Sequence, residues 1–163
     1  MKKIGTMNEY NFSRDKINKL PIQKKVRGLI YKNKNTLICI EEDGYGIKHI
    51  LKLPGGSVEK NESNIKAIKR EIVEETGYEI DNIKCIGFIE NIRKEYTLRI
   101  TYYVAKTNGK QKKLRLTDAE LEVGTKPVEI NMEMALKRFK SEYKKVPQDS
   151  SLRDIMVFNE LNK

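Results

Sequence analysis

Between Gly56 and Tyr78 the chain reads Gly-x5-Glu-x7-Arg-Glu-U-x-Glu-Glu-x-Gly-U, where U is a bulky apolar residue. Ile65, Ile68 and Ile72 inside this run stand at i, i+3 and i+7, a spacing that predicts an amphipathic helix with one apolar stripe. Glu71, Glu74 and Glu75 stand at i, i+3 and i+4, so their carboxylates share an adjacent face of about one turn. Three like charges there repel one another, a cost that packing alone does not favour. A hard divalent cation such as Mg2+ takes carboxylate oxygens while keeping room for water and substrate phosphates, which gives the crowding a physical reason. Arg70, beside Glu71 and four residues before Glu74, is placed to pair with these carboxylates and fix their rotamers. An acidic helix face is ordinarily a solvated surface. The full spacing, with an arginine inside it and glycines at both ends, favours a metal site instead.

The flanks of the predicted helix agree. Leu53-Pro54-Gly55-Gly56 leads a strand into a tight loop, where glycine permits close backbone approach. Gly77 is placed to end the helix in the left-handed conformation. Taken together, these residues resemble the signature box of the Nudix (MutT-like) hydrolases, with every fixed position filled. The resemblance implies an α/β fold, the Nudix-type α/β/α sandwich with a mixed β-sheet and a loop–helix–loop metal site.

At 163 residues the chain suits one domain, and 34% charged against 38% hydrophobic residues leaves enough apolar sequence for a core. No apolar run is long enough to span a bilayer, and the N-terminal lysines are not followed by the apolar segment of a secretory signal. A cytoplasmic location with no membrane partner is expected. Cys39 and Cys85 lie in apolar strand-like runs without metal spacing and are read as buried thiols. His49, the only histidine, is read as a surface or strand residue, and His-based zinc clusters are excluded. The net charge is +10, with eight Lys/Arg against two acids in residues 1–27 and five more between Lys106 and Arg115. Such an excess favours anionic partners: nucleotides, polyphosphates or RNA.

Residues 1–23 are read as a basic N-terminal extension, irregular apart from a short helix or strand near Tyr10–Leu20, and residues 24–163 as the hydrolase domain. Strands are predicted at Val26–Tyr31, Thr36–Glu41, His49–Leu53, Ile83–Glu90, Tyr96–Lys106 and Val128–Ile130. Helices are predicted through the box, over Asn131–Tyr143, and over Asp149–Leu161, which opens on Asp-Ser-Ser cap chemistry.

Proteins similar to this one hydrolyse a nucleoside diphosphate linked to another moiety, by water attack on phosphorus. Metal ions bridging the anionic oxygens reduce the repulsion that shields the electrophile. The resemblance implies Glu71, Glu74 and Glu75 as metal-binding carboxylates, Mg2+ as cofactor with Mn2+ as a substitute, and a carbonyl of Gly55 or Gly56 as a further oxygen ligand. Arg70 would orient the carboxylates and Glu62 support the loop. The general base is either a box glutamate or one from a later loop, with Glu120 first and Glu122 second. Arg27 and Tyr96 are the candidate substrate contacts. Relatives that cleave ADP-ribose often carry a proline shortly after the box, and Arg93-Lys94-Glu95 offers none. A nucleoside triphosphate or dinucleoside polyphosphate is therefore the favoured substrate. RNA 5′-end processing, RNA binding and non-catalytic nucleotide sensing are the alternatives, and a homodimer is a further candidate assembly.

Overall fold

The computed structural model describes residues 1–161. In chain order the elements are β1 (Lys3–Asn8), α1 (Arg14–Asn18), β2 (Ile22–Asn33), β3 (Thr36–Gly44), β4 (Ile47–Lys52), α2 (Asn64–Thr76), β5 (Tyr78–Ile92), β6 (Thr97–Gln111), α3 (Asp118–Glu122), β7 (Lys126–Asn131), α4 (Met132–Lys145) and α5 (Asp149–Leu161). The strands form one sheet in the order β1-β5-β6-β2-β3-β4, with β7 added on β3. Strand β1 runs parallel to β5 and β2 parallel to β6, whereas β5–β6, β2–β3, β3–β4 and β3–β7 are antiparallel. The sheet is therefore mixed, as the sequence predicts.

Side-chain alternation along the central strands sorts the apolar residues into two clusters, one on each face. Val26 and Ile30 of β2, Ile38 of β3 and Tyr103 of β6 pack against Ala67, Ile68 and Ile72 of α2. Their neighbours Leu29, Leu37, Cys39 and Tyr102 turn the other way and meet Ala135 and Phe139 of α4 and Val157 and Phe158 of α5. Two covered faces make the α/β/α sandwich.

The sheet positions the box loop directly. Beyond the point where β3 leaves β2, that edge of β2 is taken by the segment after β4. Gly28 N–H donates to the Pro54 carbonyl at 2.9 Å, Val26 N–H to the Gly56 carbonyl at 2.9 Å, and Val58 N–H to the Lys24 carbonyl at 3.0 Å. Gly55 has φ +134°, and a Cβ there would overlap the Val26 carbonyl oxygen and crowd Arg27 Cα at 2.9 Å. Only glycine fits so close to a neighbouring strand.

Several expectations change. The N-terminal extension is less irregular than expected: the short helix near Tyr10–Leu20 is present as α1, capped by Ser13, but β1 adds an edge strand before it. Ile65 is 43% exposed; it sits in the first turn of α2, outside the buried stripe. Cys39 is buried but Cys85 is exposed. Register shifts between Asp81 and Lys84 and between Cys85 and Gly87 break the alternation of β5 and turn that side chain outward. His49 is exposed on β4, as expected, with φ +58° and its N–H donating to Asp43 Oδ1 at 2.9 Å. No helix among the described residues is long and apolar enough to cross a membrane.

Replacing Gly55 by Ala should cost about 2 kcal/mol or more of stability, because a strained φ and a backbone overlap add. Thermal melting of the variant within a degree of the parent protein would contradict the tight packing of this loop on β2.

Candidate active site

Helix α2 starts at Ser63, whose side chain accepts from Lys66 N–H, and ends at Gly77, with φ +75° and its N–H bonded to the Val73 carbonyl. These caps put Ala67, Ile68, Glu71, Ile72 and Glu75 on the buried face. Glu71 is 8% and Glu75 4% exposed. An acidic face meant only for solvent would not bury two of its carboxylates, since unpaired charge is costly away from water.

Arg70 holds this arrangement together. Its Nε and Nη2 donate to the two oxygens of Glu62 at 2.9 and 3.0 Å, a bidentate pair. Its Nη1 donates to Glu71 Oε1 at 2.9 Å and Glu74 Oε2 at 3.0 Å, and its Nη2 also reaches the Ser57 carbonyl at 3.0 Å. One guanidinium thus joins the loop to the helix. The same contact holds the Glu62 carboxyl below the usual carboxylate range, and Glu62 Oε2 in turn accepts from Glu59 N–H at 3.0 Å. Arg115 adds a second cation to Glu74 at 3.5 Å.

Glu75 points elsewhere. Its Oε2 accepts from Gly55 N–H at 2.6 Å. Burial pushes its pKa up to about 7, against the pull of Arg27 and of that N–H, with Glu71 and Glu120 pushing the same way as burial. Burial likewise raises Glu71, with Glu74 and Glu120 adding repulsion. Glu120 is therefore close enough to both box carboxylates to be felt by them. It sits in α3, where its Oε2 accepts from Thr117 N–H at 2.7 Å in a capping box. Glu122 is exposed at the end of α3.

The donor set fits a hard divalent cation. It offers three carboxylates on one helical turn, and Gly56 lies where any Cβ would collide with the Glu71 carboxylate. Among the described residues no three such side chains converge on a common point as they stand; Glu71 and Glu74 share Arg70 Nη1 instead. The Gly56 carbonyl already accepts from Val26 N–H and has one lone pair left over.

Arg27 stands beside the loop, its Nη1 donating to the Leu53 carbonyl at 2.5 Å. Tyr96 does not join this group. It lies in the turn between β5 and β6, half-buried against the larger core cluster, and its side chain makes no hydrogen bond among the described residues. Sequence reasoning missed Lys25, Lys52, Arg153 and Asp154, which surround Glu75 and Arg27 electrostatically. Lys52 was readable only as a member of a strand, one residue before Leu53, and Lys25 only as one of the basic residues of 1–27. Arg153 and Asp154 carried no signal, being far from the box in sequence.

A NUDIX domain model matches residues 21–148. The 8-oxo-dGTP diphosphatase of Buchnera aphidicola subsp. Acyrthosiphon pisum (strain APS) is 36% identical over 59 residues, 36% of this chain and 48% of that protein. The chain thus spans about half the length of the curated relative it matches. Among solved structures, a NUDIX hydrolase from Nitrosomonas europaea superposes with a TM-score of 0.64 at 18% identity, covering 85% of this chain and 88% of that one. The E. coli ORF135 protein superposes with a TM-score of 0.62 at 16% identity, covering 89% and 91%. At these identities the two structures bear on the fold.

Burial makes a pH prediction for the metal-free protein. Glu75, at about 7, and Asp154, at about 6, have folded-state values above their ordinary 4.5 and 3.8. Such groups contribute stability that is fully present below the unfolded value and lost as pH rises through the folded one. Lowered carboxylates such as Glu62 titrate below this window, and Lys52, pushed down to about 8 by burial, titrates at its upper edge. With a chelator present, Tm should therefore fall by about 5 °C or more between pH 5 and pH 7.5, and Glu75→Gln should remove much of that fall. A flat Tm across this range would contradict the burial of Glu75.

Proposed function

Because the chain belongs to the Nudix family, with the NUDIX domain occupying residues 21–148, we propose that it is a divalent-metal-dependent nucleotide pyrophosphohydrolase acting on a nucleoside triphosphate. The observation that carries this reading is the burial of Glu71 and Glu75 on a helix whose carboxylates Arg70 ties to the preceding loop. Glu71, Glu74 and Glu75, with the Gly56 carbonyl, would hold the cation, Mg2+ or Mn2+. Such a cation supplies neutralisation of phosphate charge and a lowered pKa for an attacking water.

The chain's own residues supply the rest. Arg27 lies beside the loop with its guanidinium turned toward Leu53 and Glu75, where it can bind an anionic phosphate oxygen. Arg70 keeps the carboxylates in place, so little reorganisation is needed when substrate arrives. Glu120 would act as the base: its charge is felt by both Glu71 and Glu75, and its contact with Thr117 caps α3. A proton taken from water by a carboxylate leaves hydroxide to attack phosphorus, and the anhydride bond breaks with departure of the phosphate leaving group.

Three features support a triphosphate: the diphosphatase relative, the net charge of +10 and the lack of a proline at Arg93-Lys94-Glu95. Oxidised dGTP is the first substrate to try.

A panel of nucleoside triphosphates, dinucleoside polyphosphates and ADP-ribose, with and without Mg2+ and Mn2+, tests the reading by product identification. Triphosphates should be cleaved with the highest kcat/KM and only with metal. Glu74→Gln and Glu75→Gln should each lower turnover about tenfold or more, equivalent to roughly 1.4 kcal/mol. Turnover in EDTA, or kcat/KM highest for ADP-ribose, would overturn it. Glu120→Gln should lower kcat with little change in KM; an unchanged pH profile in that variant would move the base to a box glutamate.

A further inference from the structure

The NUDIX match ends at residue 148, and α5 begins at Asp149. What α5 brings to the site therefore lies outside the residues that match the NUDIX domain model. The helix is anchored at both levels. Asp149 pairs with Arg93 at 2.5 Å and accepts from Asn91 Nδ2 at 2.7 Å, while Val157 and Phe158 enter the core beneath α4.

Between these anchors lie Arg153 and Asp154. Asp154 is 4% exposed; its Oδ2 accepts from Leu53 N–H at 3.3 Å and its Oδ1 from the Tyr102 hydroxyl at 3.4 Å. The Leu53 carbonyl accepts from Arg27. Leu53 is thus held on both sides by side chains, one from β2 and one from α5, at the residue where β4 gives way to the box loop. Two residues later Gly55 N–H bonds to Glu75. A short, fully bonded path therefore connects α5 to a box carboxylate.

Arg153 has the opposite character. Its Nη1 is buried and has no hydrogen-bond partner among the described residues. It lies near Arg27, Lys25 and Lys52; burial foremost lowers both lysines, and the charges of Arg27 and Arg153 add to that. The four cations stand among Glu71, Glu75, Asp149 and Asp154, and Lys52 also pairs with Glu42. Buried guanidinium nitrogen is expensive without an acceptor. An anion arriving from outside would satisfy it and relieve the mutual repulsion.

Resting on the hydrolase reading, we propose that α5 is part of the substrate site: Arg153 binds anionic oxygens of the substrate's phosphate chain, and Asp154 is a positioning residue that holds Leu53, and through it the Gly55–Glu75 contact. A purely structural role for this pair would affect stability alone.

The test uses the whole 163-residue chain and two readouts. The first is calorimetric binding of inorganic tripolyphosphate with EDTA present, which needs no turnover. Arg153→Gln should weaken it about tenfold, the worth of a charge-assisted hydrogen bond, and should raise KM for a nucleoside triphosphate while kcat stays within about twofold. Arg153→Lys should recover part of the binding. The second readout is kcat: Asp154→Ala should lower it about tenfold or more, whereas Asp154→Asn, whose amide oxygen still accepts from Leu53 N–H, should recover most of the loss. Tripolyphosphate binding unchanged in Arg153→Gln, or Asp154→Asn as impaired as Asp154→Ala, overturns the proposal. If Asp154→Ala does not fold, the Arg153 and Asp154→Asn results decide. Tripolyphosphate binding that depends on Arg153 in a protein that hydrolyses no nucleotide would leave Arg153's part intact and sink the hydrolase reading instead.

Discussion

The guanidinium of Arg70 spans the gap between the box loop and helix α2. It gathers Glu62 and the Ser57 carbonyl on one side and Glu71 and Glu74 on the other. Without it, three glutamates on one turn would repel, and the rotamers that face one another would be the least favoured ones. With it, Glu71 and Glu74 are held close before any cation arrives. Neighbouring acids raise the guanidinium pKa further, Glu62 foremost, so this charge does not titrate in any accessible range. The rest of the site is built outward from that fixed point.

The sheet does a second job that a box alone cannot do. By letting β3 diverge from β2, it frees an edge that the Pro54–Val58 segment occupies, and so the loop inherits strand-like rigidity. Gly55 is the residue that permits this approach, and Gly56 is the one that leaves space for Glu71. A loop held by backbone bonds at one end and by Arg70 at the other has little freedom. Preorganisation of this kind is how an active site avoids the cost of ordering itself during reaction.

The box helix, its C-terminal glycine cap and most of the strands were legible because each depends on local spacing: periodicity, a left-handed glycine, alternation. Helix α5 was legible as a helix for the same reason, but its contribution to the site was not. Asp154 and Leu53 are 101 residues apart, and an Asp on an amphipathic helix carries no mark of what its carboxylate will meet after folding. Strand β1 was missed because Lys3–Asn8 is a short edge strand containing glycine and only modest apolar alternation, and its pairing with β5 is non-local. The inward assignment of Cys85 failed where bulges shift the period of β5, an irregularity that a two-residue repeat does not foresee. Tyr96 was singled out for its position in the chain, and packing of its ring against the core is what that position delivers.

Glu71 and Glu74, gathered by Arg70, and Glu75, buried on the same helix, would together hold a divalent cation. Electron paramagnetic resonance of Mn2+ titrated into the protein tests this without any assumption about substrate. Saturable binding by the parent protein, competed by Mg2+, is expected, with a marked loss of affinity in both Glu75→Gln and Arg70→Ala while each variant stays folded by circular dichroism. Mn2+ bound equally well by the parent protein and both variants would contradict this.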